Sequence, residues 1–116
     1  MGMARSRGSA AETLAACYLE LSGMEVVARN RRVAGVEIDL VAVDGNARVL
    51  VEVKYRGRSD YGGAALAVDF RQRERLARAA RAVAAESGSA VRIDVVAIEL
   101  GAEGLALRHY RNAVTD

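Results

Sequence analysis

Apolar positions along this chain repeat with two periods, and the switches between them mark its elements. From Val36 to Val53 they alternate on either side of a short break at Gly45-Asn46. Gly-Asn between two alternating runs is a tight-hairpin signal. Helical spacing predicts a helix over 9–21, with Leu14, Cys17, Tyr18 and Leu21 on one face and Gly23 as its stop. Met24 to Asn30 reads as a first strand. A second helix is expected from Val68 to Glu86, turning Leu76, Ala80, Val83 and Ala84 to the core. Val91 to Leu100 follows as a buried strand, and Leu105 to Tyr110 as an edge strand paired to it across Gly101–Gly104. The long helix between two strands is a crossover, so the strand at Val91 should run parallel to that at Val49. The expected class is α/β: a mixed central sheet flanked by helices.

Charges interrupt the hairpin in one place. If Asp44 faces Ala47, Asp39 lies opposite Glu52 and Glu37 opposite Lys54, with all four on one side. Ile38, Leu40, Ala42, Val49, Val51 and Val53 form the other side, which reads as core. The charges crowd the end far from the turn, while Val41, Val43 and Leu50 fill most of the near end. Two carboxylates directly across a strand pair repel unless a cation or a shared proton relieves them.

A divalent cation fits that requirement. Carboxylate oxygens are hard ligands suited to Mg²⁺ or Mn²⁺, which accept few protein ligands and keep waters. Such a cation polarises a phosphoryl oxygen and activates a bound water. Lys54 could orient that water or stabilise charge building on phosphorus. Three readings follow: a metal-dependent phosphodiester-cleaving site in which Glu37 assists as a further carboxylate or ligand, a nucleic-acid-binding module without catalysis, or a protein-interaction domain whose charges form a buried ion-pair network, Glu37 pairing with Lys54.

Asp39 followed by Glu52-Val53-Lys54 resembles the D…(D/E)-x-K signature of the restriction-endonuclease-like superfamily. With Gly8, Glu12, Ala15, Tyr18-Leu19, Gly23, Arg29-Asn30-Arg31, Glu37-Ile38-Asp39-Leu40-Val41 and Val51 to Arg56, the set resembles the YraN-like family of small bacterial proteins. That family is similar in motif layout to archaeal Holliday-junction resolvases. The resemblance implies an α-β-β-β-α-β core and a metal-dependent endonuclease acting on structured or branched DNA. It implies metal ligation by Asp39, Glu52 and the Val53 carbonyl, catalysis by Lys54, and a carboxylate at Glu12 that reaches the site. Gln72 falls where related nucleases carry a polar residue on the crossover helix. The chain departs from the family's usual Gly-Glu-Ile-Asp by Val36, inserted between Gly35 and Glu37.

Charge distribution adds a partner. The formal net charge is only +2, yet from Arg56 to Arg81 seven arginines stand against Asp60, Asp69 and Glu74. Arg71, Arg75 and Arg78 recur at helical spacing, either as a phosphate-binding stripe or as a solvated face. Arg56 and Arg58 belong to a basic glycine-containing loop, Arg56 to Gly63, placed to admit a nucleic-acid strand. A homodimer would suit a two-fold symmetric substrate.

At 116 residues and 52% hydrophobic content the chain reads as one domain, with residues 1–7 and 112–116 frayed. Its single Cys17 cannot close an intramolecular disulfide and reads as a core thiol. His109 reads as an edge-strand residue outside the chemistry. No apolar run is long enough to span a bilayer, and the start lacks the apolar stretch of a secretion signal, so a cytoplasmic protein is expected.

Overall fold

The computed structural model describes residues 3–57 and 69–114. The elements run α1 (Met3–Leu21), β1 (Glu25–Val33), β2 (Val36–Asp44), β3 (Ala47–Arg56), α2 (Phe70–Ser87), β4 (Ala90–Gly101) and β5 (Gly104–Tyr110). This is the expected α-β-β-β-α-β order, followed by the expected edge strand. The five strands form one sheet in sequence order, antiparallel except for β3 and β4, which run parallel as the crossover requires. Most of the expected loop, including Arg58, lies outside the described residues. Among the described residues no helix is long and apolar enough to cross a membrane.

Local signals account for the boundaries. The Met24 N–H bonds the Leu19 carbonyl at 3.0 Å and the Gly23 N–H bonds that of Glu20 at 3.1 Å, the paired bonds of a Schellman stop with Gly23 at φ 98°. The hairpin turns on Gly45 at φ 61°, as a turn with glycine at its first central position needs. Asp69 caps α2 by accepting the Gln72 N–H at 2.8 Å. The helix α1 starts at Met3, earlier than Ser9. The tail after β5 is also more anchored than expected: the Asn112 N–H bonds Asp94 at 2.9 Å, the Ala113 N–H bonds the Ile93 carbonyl at 2.7 Å, and Val114 is buried.

Both faces of the sheet are covered. On one, Ala11, Ala15 and Leu19 of α1 pack on Leu40, Ala42, Val49, Val51, Val96 and Ile98. On the other, Leu76 and Ala79 of α2 pack on Val36, Ile38, Val41, Leu50 and Ile93. The buried stripe of α1 is therefore not the expected one: Leu14 and Cys17 are exposed, Leu21 is 90% exposed, and only Tyr18 of that set packs inward. Alanines let the helix backbone approach the sheet closely, and this decides the face.

A second correction concerns β2. Its ladder with β3 keeps the expected register from Asp44↔Ala47 to Leu40↔Val51, then stops one step short of the Asp39–Glu52 pairing. The Val53 N–H, next in line for that ladder, donates instead to Asp39 Oδ2 at 2.8 Å. Strand alternation breaks at the same point. Ile38 packs under α2 whereas Leu40 packs under α1, so the two are not on one side as expected. In β1, Asn30 at φ 51° falls between the pairs Arg29↔Leu40 and Arg31↔Ile38, beside Asp39. The irregular backbone opens the sheet where the carboxylates sit.

Candidate active site

The opening in β2 leaves a cleft of about 600 Å³ between the β1–β2 turn and α2. Asp39, Glu52 and Gln72 line its half-buried floor over the buried Val36 and Leu76, and Glu37 stands exposed on its rim. Lys54 sits beside the floor, its Nζ donating to Gln72 Oε1 at 2.9 Å and lying 3.6 Å from Glu52 Oε2. Gln72 Nε2 in turn donates to Glu52 Oε2. The Gln72 amide thus spans the acid and the lysine, holding each by the group of opposite polarity. Its place at the first turn of α2, fixed by the Asp69 cap, makes that reach possible.

The two carboxylates are held in an unfavourable state. Burial, and after it the negative charge of Asp39, push Glu52 up to about 7, against the pull of Lys54 and Gln72. Asp39 is also raised, chiefly by burial and further by the charges of Glu12 and Glu37, while the Val53 N–H works the other way. A group that gains a proton only because of its surroundings is a candidate for function. Glu12, on α1, therefore acts on the site electrostatically. Its own carboxylate is 3.7 Å from Arg29, which also donates to Thr13 Oγ1 at 3.1 Å.

Other expected residues divide. Arg75 and Arg78 line the cleft; Arg71 is exposed on the same helix but outside it. Arg56 is half-buried at the end of β3, and Tyr55 packs partly against the α1 cluster. The alternative ion pair between Glu37 and Lys54 is not formed, since Lys54 faces Glu52 and Gln72. Arg32, which the sequence did not single out, lines the cleft from β1.

A second charged cluster lies away from the cleft. Asp94 is fully buried on β4. Burial alone would raise it, but hydrogen bonds from Arg92, the Asn112 N–H and His109 hold it below the usual carboxylate value. His109 Nε2 lies 2.8 Å from Asp94 and its Nδ1 2.8 Å from the Tyr18 hydroxyl, while Arg92 also reaches Asp44 at 3.0 Å. This network ties α1 to the edge strand. A charge inside the apolar run Val91 to Val96 was the readable sign of it.

Residues 11–98 match the model of the uncharacterised protein family UPF0102. The chain belongs to that family. Among its relatives, a UPF0102 protein of Halorhodospira halophila is 47% identical over 95 residues, covering 82% of this chain and 78% of the relative. One from Burkholderia mallei is 48% identical over 103 residues, covering 86% and 72%. UPF0102 is the YraN family that the motifs resembled, so the matched span carries every carboxylate of the cleft. Among solved structures, a repair endonuclease from Pyrococcus abyssi is similar at 18% identity and a TM-score of 0.49, covering 76% of this chain and 36% of that one. That likeness is too distant to transfer an activity.

Proposed function

We propose that this protein is a divalent-cation-dependent endonuclease that hydrolyses phosphodiester bonds in nucleic acid, with structured or branched DNA as its favoured substrate. The observation that carries the reading is the pair Asp39 and Glu52, both raised, on the floor of a cleft that also holds Gln72 and arginines and has Lys54 beside it. Buried like charges that no stable arrangement requires are explained by a cation that joins them.

The donor set fits such an ion. Among the described residues no three Asp, Glu, His or Cys side chains converge, but Mg²⁺ or Mn²⁺ needs only one or two carboxylates and fills the rest of its shell with water. Asp39, Glu52 and the Val53 carbonyl would hold it, with Glu12 and Glu37 adding negative charge nearby. When bound, it would polarise the phosphoryl oxygen and lower the pKa of a coordinated water. Lys54, kept in place by Gln72, can orient the attacking water or stabilise the charge developing on phosphorus. Arg75 and Arg78 can hold the backbone, with Arg56 and Arg71 adding positive charge nearby; Arg58, also expected to contact nucleic acid, lies outside the described residues. A two-fold symmetric junction would call for a homodimer presenting two clefts. A cytoplasmic place of action goes with this reading.

The test is cleavage of labelled single-stranded, duplex, flapped and four-way-junction DNA and of duplex RNA in Mg²⁺ or Mn²⁺, by the wild type, Glu52→Gln and Lys54→Ala. Cutting that requires the cation and is lost in both variants is the expected result, and the preferred substrate names the class. The sparse carboxylate set favours one other reading, a binding module on the same fold. Equal binding by all three proteins with no cutting would establish it instead.

A further inference from the structure

We infer that Arg32 on β1 and Arg75 and Arg78 on α2 form a two-sided phosphate clamp, through which one nucleic-acid strand crosses the acidic floor of the cleft. The inference rests on the nucleic-acid part of the proposed function and does not depend on cleavage.

The three arginines come from elements far apart in sequence and line the same cleft as Asp39 and Glu52. Their burial is graded: all three are exposed at the rim, whereas the carboxylates are half-buried beneath them. Their charge is also unspent. Arg29, Arg31, Arg92, Arg108 and Arg111 each have a carboxylate within ion-pair distance. Among the described residues Arg75 and Arg78 have none. Arg32 stands directly opposite Glu37 across the β1–β2 ladder, yet its Nη1 donates to the Gly35 carbonyl at 3.1 Å. That bond fixes the guanidinium at the mouth of the cleft without neutralising it. Among the described residues Arg48, Arg71 and Arg73 have no carboxylate within ion-pair distance either, but lie outside the cleft.

A rim carrying three arginines against one glutamate, Glu37, around a negative floor selects a particular ligand. An isolated anion meets both attraction and repulsion, whereas a polyanion can place successive phosphates on opposite rims and span the floor between them. The cleft's volume is that of a site for one small ligand, which suits a short stretch of single strand. Each phosphate contact to a single strand contributes a slope of about 0.7 in log affinity against log salt.

The experiment is anisotropy titration of a labelled oligothymidylate with the full chain in EDTA, across a salt series. The variants are Arg32→Gln, the double Arg75→Gln/Arg78→Gln, and Arg73→Gln as a charge-matched control from the same helix. Glutamine retains a donor for the Gly35 carbonyl, and Arg32→Lys restores the charge. Arg32→Gln is expected to weaken binding roughly 3- to 10-fold at low salt and to lower the slope by about one contact's worth. The double variant should lose more, Arg32→Lys should recover much of the loss, and Arg73→Gln should change little. Inorganic phosphate at equal phosphate concentration should not compete.

Arg32→Gln behaving like Arg73→Gln, a wild type that binds no oligonucleotide, or full competition by inorganic phosphate would each overturn the clamp. Parallel cleavage assays in Mg²⁺ separate the two ideas. Arginine-dependent binding without cutting keeps the clamp and removes the nuclease, whereas cutting undiminished in Arg32→Gln does the reverse.

Discussion

Glu52 has a protonation state that depends on the fold, and this gives it a measurable consequence. An unperturbed glutamate releases its proton near 4.5, whereas in the folded protein Glu52 holds it to about 7. Between those values the folded state keeps a proton that the unfolded chain has lost, so stability falls as pH rises through this window and levels off above it. Asp39, also raised, adds to the same trend. The melting temperature of the metal-free protein should therefore drop between about pH 5 and about pH 8. Glu52→Gln should remove most of that drop and be more stable than the wild type at the upper end. A variant that is instead less stable across the range would place Glu52 in a stabilising ion-pair network. The residue types were legible from the chain, since charges in apolar strands are costly. The bridge formed by Gln72 was not, because it joins positions on two elements.

At the scale of elements, some boundaries followed from punctuation: Gly23 ended α1, Gly45-Asn46 turned the hairpin, and the crossover forced β4 to run parallel to β3, whereas α1 begins earlier than residue 9 and β1 runs past Asn30 to Val33. The phase of α1 did not follow. Its leucines marked one stripe, but the sheet took the side carrying Ala11 and Ala15, where the small side chains permit close approach. Two substitutions distinguish the faces by chemical unfolding. Ala15→Leu should cost about 1–3 kcal/mol by overpacking a fully buried site, while Leu21→Ala should stay within about 0.5 kcal/mol of wild type. Strand β2 shows the same weakness of pattern. Where both faces of a sheet are covered, both sets of side chains are apolar, so a break in alternation at Asp39 leaves no mark in the sequence.

For the whole molecule, the sheet's open point and α2 meet at one charged cleft, with Glu12 of α1 acting on it by charge, and a ligand there should be felt by the entire fold. Mg²⁺ that binds the native state alone stabilises it by mass action. About 10 mM Mg²⁺ should raise the melting temperature of the wild type, more at about pH 8 than at about pH 6, because the cation must displace the proton on Glu52. Asp39→Asn should show no such rise. An equal rise in that variant would mean that the ion acts elsewhere on the surface.

The sequence by itself determined the element order, the hairpin register near the turn, and the presence of a carboxylate pair with a lysine beside it. Each of these depends on neighbours a few positions apart, which periodicity and turn chemistry record. Tertiary structure decided which face of α1 is buried, where β2 departs from its ladder, and that the buried Asp94 joins His109 and Tyr18 in one network. It also brought Arg32, Arg75 and Arg78 to one cleft. These depend on surfaces meeting across the sheet, where shape and the satisfaction of buried charges choose among arrangements that local pattern leaves equal.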